Sequence, residues 1–274
     1  YNPYIEAFWE WWPDLFPDLH TFRITGGEPL LSKDTFKVLE YIRDNPEVNP
    51  NISLSINTNL GVPDKLMDKF IALAKDLCEN NKVRELIVFT SIEAQGAQAE
   101  YTRHGLDAVK FWENVNKVLT ELPKVTVNVM ATFNALSVFT YGEVIDTIFE
   151  LKQRYANKDR YWVTPIQLDT SYLRWPAHLS VKLLEDNHKE LILESAKKAL
   201  YYGMKEYTHE NVGFTNVEIQ KIKRIYDYAI GEDDFDVEHQ RGKFARFVTA
   251  LDERRGTNFL KTFPELKSMY VKYK

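Results

Sequence analysis

Strand and helix signals alternate along the first two hundred residues, and that alternation constrains the fold more than any other feature. Thr21–Thr25, Asn51–Asn57, Glu85–Ser91, Val125–Thr132 and Tyr161–Leu168 read as short strands rich in β-branched and apolar residues. Helical spacing fills the intervals. An opening helix over Tyr4–Phe16 is expected to break or bend at Pro13. A second helix is capped by Ser32 and runs through Phe36, Leu39 and Ile42; a third, Leu66–Leu77, follows Pro63. Ala108–Leu119, Val144–Tyr155 and Leu183–Tyr202 continue the series. Strands separated by helices pair in parallel through right-handed crossovers. Wound one way they make a barrel or part of one, wound both ways an open sheet, and periodicity does not choose between the two.

Composition narrows the partners. The chain is 44% hydrophobic, enough for a sizeable core and too much for disorder. Its net charge of −5 offers no general basic field for nucleic acid or an anionic membrane. No apolar run approaches the roughly 18 residues that cross a bilayer, and no signal peptide is evident. The single cysteine, Cys78, excludes an internal disulfide, so a reducing cytoplasm is the expected location. The chain opens on Tyr1 rather than methionine, which implies that a longer protein has been cropped or processed. The strand signal stops near 205, which divides the chain into an alternating part, 1–204, and a helical extension, 205–274. The extension holds an acidic run, Glu232-Asp233-Asp234-Phe235-Asp236. From Arg241 onward it carries nine Lys and Arg against three Asp and Glu, the pattern of a solvated helical appendage or a partner-binding tail.

The residues with most chemical content follow the first strand: Gly26-Gly27-Glu28-Pro29-Leu30-Leu31. Two glycines let the backbone pass close to a ligand. Glu28 then sits at the strand's C-terminal end, where parallel α/β folds place ligands, and a carboxylate there accepts hydrogen bonds from a cationic amine. Pro29 stiffens the turn. The Lys-Ser/Thr ending of a phosphate loop is absent. An ordinary parallel α/β enzyme would use Glu28 as a general acid or base instead.

This segment resembles the second-strand motif of the radical S-adenosylmethionine enzymes, whose Gly-Gly-Glu stretch holds the amino group of the methionine moiety. Ile56-Asn57-Thr58-Asn59 is similar to the Thr-Asn element ending the family's next strand. Phe89-Thr90-Ser91-Ile92-Glu93-Ala94 and Tyr101-Thr102-Arg103-His104-Gly105 resemble its Ser-x-Asp/Glu and Arg-x-Gly stretches. The resemblance runs in order over roughly Tyr4 to Leu200. It implies a partial (βα)6 TIM-type barrel missing its first strand. Gly26, Gly27, Glu28, Pro29 and Asn57 would border the cofactor, Ser91 and Arg103 would hold its carboxylate, and Glu93 would lie near the ribose. Asn134 would reach the nucleoside or merely cap a turn. Thr164-Pro165-Ile166-Gln167 would end the sixth strand, and Tyr172-Leu173-Arg174-Trp175-Pro176 would border a substrate opening or plug the core. The activity implied is reductive cleavage of S-adenosylmethionine at a [4Fe–4S] cluster. The resulting 5′-deoxyadenosyl radical takes hydrogen from a peptide or small-molecule substrate, with electrons from a donor such as flavodoxin or ferredoxin.

One family element is missing. The cluster is held by Cys-x-x-x-Cys-x-x-Cys after the first strand, and iron–sulfur ligation needs thiolates. Cys78 stands alone among Leu73, Ala74 and Leu77, as a core residue would. A cropped N-terminus accounts for the gap, and the polypeptide as written is not expected to cleave the cofactor. A native lack of the cysteines would imply a non-redox barrel that binds a nucleoside or a partner. The six histidines have no zinc-type spacing, and the acidic run lacks the pattern of a calcium loop.

Overall fold

A computed structural model describes residues 2–45, 47–158, 162, 164–205, 208, 212–232 and 234–274. Five strands, β1 (Thr21–Ile24), β2 (Ser53–Asn57), β3 (Glu85–Ser91), β4 (Thr126–Phe133) and β5 (Ile166–Tyr172), form one parallel sheet in chain order. Helix α1 (Pro3–Leu15) precedes β1. The crossovers are α2 (Lys33–Asp44), α3 (Asp64–Glu79), α4 (Gly96–Thr102) with α5 (Ala108–Glu121), and α6 (Tyr141–Arg154). After β5 come α7 (Asp186–Tyr201), α8 (Asn216–Ile230), α9 (Val237–Arg255), α10 (Phe259–Thr262) and α11 (Lys267–Tyr273). Sequential order with crossovers of one hand stacks the crossover helices on one side of the sheet. Accordingly α2 packs on α3, and α3 on α5. No helix among the described residues is long and apolar enough to cross a membrane.

The register gives the sheet two unlike faces. Ile24, Ile56, Val88, Val127 and Ile166 lie side by side across all five strands. All but the edge residue Ile24 are fully buried. Intervening residues point the other way. Asn57, Phe89, Asn128 and Gln167 make one row there, and Ser91, Met130 and Asp169 the next. All seven are only half-buried. Parallel sheets are usually apolar on both faces; this one keeps a polar, partly open face.

Its two edges also differ. Alternate backbone groups of β5 face outward, with no strand among the described residues to receive them. Lys152 Nζ donates to the Ile166 carbonyl at 2.8 Å, and Glu218 accepts the Leu168 N–H at 2.8 Å. The two side chains pair at 3.0 Å, both buried, and Glu218 also completes a capping box with Thr215 at the start of α8. Burial lowers the pKa of Lys152 while the Glu218 charge opposes that shift. β1, by contrast, pairs only with β2 among the described residues. Phe8 and Trp12 of α1 cover its Phe22, with ring centroids 6.4 and 4.7 Å away.

Several expectations need correction. The last strand is Ile166–Tyr172 rather than Tyr161–Leu168, so Thr164-Pro165-Ile166-Gln167 leads into it instead of ending it. Pro165 has no N–H for a ladder, and the in–out alternation begins only at Ile166. Tyr161 and Val163 lie outside the described residues, as do Tyr1, His209 and Asp233 of the acidic run. Pro13 does not break the first helix, which continues to Leu15. Short α4 was not anticipated. The segment beyond 205 is not simply solvated, because Phe244, Val248, Phe259, Phe263 and Leu266 are buried in the core that also contains the sheet.

Glu218→Ala strips β5 of its edge partner and leaves Lys152 buried without an anion, an expected loss of about 3–5 kcal/mol in urea denaturation. Asp227→Ala, which breaks the exposed Lys223–Asp227 pair, is expected to cost under about 0.5 kcal/mol. Equal losses would show that the buried pair does not seal the edge.

Candidate functional site

The C-terminal ends of β1 to β3 carry most of the motif residues. After β1 the chain turns at Gly26, whose φ of 140° is one that residues with a side chain rarely adopt. Open space surrounds Gly26 and Gly27 where a Cβ would project. Glu28 caps the short helical turn Pro29–Leu31 through the Leu30 N–H at 3.0 Å, and Pro29 is buried. The same carboxylate accepts Thr58 Oγ1 at 2.7 Å and the Asn59 N–H at 2.7 Å. Glu28 therefore clamps the turn after β1 to the loop after β2. A carboxylate has about four acceptor positions, so roughly one remains for a ligand.

Ser91 ends β3, and Arg103 follows α4. Together with Asn59 and His104 they border a cleft of about 230 Å³. Arg103 grips Glu93 with two parallel hydrogen bonds, Nε to Oε2 at 2.6 Å and Nη2 to Oε1. Glu93 is nearly inaccessible and also accepts the Thr132 N–H at 3.3 Å. Both of its oxygens face the guanidinium. Two of the five Arg103 N–H donors are used, and the rest remain available on a side chain that stays one-third exposed. Helix α4 carries Arg103 at its C-terminus and is anchored by the C-terminal helices. Tyr101 Oη donates to Asp252 of α9 at 3.0 Å, and the Tyr101 ring lies 5.4 Å from that of Phe263.

The other motif residues are more dispersed. Asn57 faces the polar side and accepts Arg23 Nε at 2.9 Å, while the Arg23 guanidinium lies 4.2 Å from the Phe89 ring. Asn134 serves its own turn, accepting the Leu136 N–H at 2.9 Å and donating to the Thr132 carbonyl. Gly26, Gly27 and Glu28 line a second cleft of about 270 Å³, walled by Phe8 of α1 and the start of α2. Ser91 and Arg103 thus share one cleft, Glu28 lines another, and the Asn59 backbone links them.

Sequence reasoning missed the polar face itself. Asp169 pairs with Lys221 of α8 at 2.6 Å, and Asn128 donates to Gln167 at 3.5 Å. The polar alternation within Val127–Met130 and Ile166–Tyr172 carried that signal. At the opposite end of the face, Trp162 Nε1 and Ser53 Oγ both donate to Glu85.

Metal-binding chemistry finds little support in these side chains. Cys78 is buried on α3, and desolvation pushes its thiol up to about 12. Among the described residues no group of three His, Cys, Asp or Glu is placed to hold a metal ion. The chain matches no family model, no curated protein and no solved structure.

Arg103→Met leaves the Glu93 carboxylate buried without its cation and is expected to lower stability by about 3–5 kcal/mol. Adding Glu93→Gln is expected to recover part of that loss in the same urea titration. A double variant no more stable than Arg103→Met alone would show that the buried charge is not what the guanidinium compensates.

Proposed function

We propose that the five strands belong to a partial six-stranded parallel barrel of the radical S-adenosylmethionine type. Its C-terminal rim binds the amino acid end of S-adenosylmethionine. The observation that carries this reading is the Asn59–Ser91–Arg103 cleft, coupled through Asn59 to the Glu28 carboxylate. A zwitterion needs a cationic fork and a hydroxyl for its carboxylate, with an anion close by for its ammonium. Arg103, Ser91 and Glu28 are groups of those kinds. Gly26 and Gly27 leave the backbone open beside Glu28. The chain-order sheet and its polar face also fit a barrel wall whose inner side receives ligand.

Each residue has a distinct task in this reading. Arg103 holds the carboxylate with the donors that Glu93 leaves free, and Glu93 fixes the fork. Ser91 donates to the same carboxylate. Glu28 directs its remaining acceptor position at the ammonium while holding the loop after β2 in place. When bound, S-adenosylmethionine supplies the capacity to abstract hydrogen from a substrate once it is reductively cleaved.

A [4Fe–4S] cluster does not fit this chain's residues, since cluster ligation takes several thiolates and Cys78 is one buried thiol. Cluster ligands, and an electron donor such as flavodoxin or ferredoxin, would come from outside these residues. A second reading is a barrel that binds a nucleoside or a partner without redox chemistry, which a native lack of the cluster cysteines would favour.

Calorimetric titration separates the two. The native chain is expected to bind S-adenosylmethionine, with methionine competing. Ser91→Ala and Glu28→Ala are each expected to weaken binding about tenfold, close to 1.4 kcal/mol, with thermal melting confirming that the variants fold. Unchanged affinity in both variants would overturn the rim assignment. Competition by adenosine but not by methionine would favour the nucleoside reading.

A further inference from the structure

A third cavity lies between the loop after β5 and helix α9 and shares no lining residue with the two rim clefts. Its volume is about 490 Å³, within the range usual for small-molecule sites. Trp175, Pro176 and His178 form one wall, and Lys243, Arg246 and Phe247 of α9 the other. Trp175 is 82% exposed, so its large ring stands at the mouth with little of it used for packing. Lys243 and Arg246, three residues apart, share one face of α9. Both are exposed, and neither is paired with a carboxylate among the described residues.

Among the described residues no Asp or Glu lines this cavity. That is notable in a chain with net charge −5, where a cation usually finds an acidic neighbour. His178 lies with its ring 5.0 Å from that of Phe247. Burial and the nearby Lys243 charge lower its pKa, which keeps the imidazole neutral at pH 7 and leaves the positive charge on the α9 wall. One wall is therefore aromatic and apolar, and the other adds two free cations.

The geometry points to a binding site for a small aromatic carboxylate, its ring against Trp175 and its carboxylate on Lys243 and Arg246. The cations supply charge-assisted hydrogen bonds, and the ring contact supplies selection for a flat apolar body. This assignment does not rest on the proposed S-adenosylmethionine site, with whose clefts it shares no lining residue.

Phenylacetate serves as the probe, titrated into the full chain and followed by ligand-observed NMR. Saturable binding is expected, with acetate and 2-phenylethanol each at least about tenfold weaker because each lacks one half of the pharmacophore. The Lys243→Met/Arg246→Met double variant is expected to lose about tenfold or more in affinity, and Trp175→Ala about fivefold. These side chains are exposed, and circular dichroism verifies that the variants keep their fold. Acetate binding as tightly as phenylacetate, or a double variant with native affinity, would overturn the proposal. A peptide such as acetyl-Gly-Phe binding more than about tenfold tighter than phenylacetate would overturn it in favour of a chain-end site.

Discussion

Burying the row Ile24, Ile56, Val88, Val127 and Ile166 beneath the crossover helices is the constraint on which the rest of the structure depends. Each fully buried aliphatic side chain contributes about 1.5–3 kcal/mol. A one-residue slip of any strand would turn its members of that row toward the polar side. The row thus fixes the register, and the register aligns Asn57, Phe89, Asn128 and Gln167, with Ser91, Met130 and Asp169 one step further on, across the opposite face. The register thereby places Ser91 of the candidate site on that face, while Glu28 and Arg103 come from the turn after β1 and the end of α4.

Lateral satisfaction lets the sheet keep a polar face without losing order. Lys152 and Glu218 satisfy the Ile166 carbonyl and the Leu168 N–H at the β5 edge, and α8 brings Glu218 there through its own capping box. The same helix carries Lys221 to Asp169 on the polar face. On the other flank, Glu28 ties two loops together through three hydrogen bonds. The Glu93–Arg103 pair depends on α4, which α9 and Phe263 hold in place. The C-terminal helices therefore contribute to the position of a residue at the rim, although no strand passes through them.

Much of the sheet was legible in the sequence because short β-branched runs stand between amphipathic stretches. β3 has the expected bounds, Glu85–Ser91, and Ser32 caps α2 as its hydroxyl suggested. β5 was misplaced because Val163 and Thr164 resemble strand residues, while the true strand alternates Ile166, Leu168 and Thr170 with Gln167, Asp169 and Ser171. α4 escaped notice because seven residues with a glycine at the start give no helical stripe. The motif residues themselves could be read, but their partners could not. Nothing in local spacing announces that Glu28 meets Thr58, that Glu93 turns to Arg103, or that Lys152 meets Glu218 across 66 residues.

The central claim is that the rim formed by the C-terminal ends of β1 to β3 is where S-adenosylmethionine binds. Amide hydrogen exchange with and without that ligand tests it most directly, because protection reports position as well as occupancy. The account expects slowed exchange at the turn Gly26–Glu28, at Asn59–Gly61 and around Ser91 and Arg103. Unchanged exchange there, with protection confined to the β5–α9 cavity or absent throughout, would contradict it.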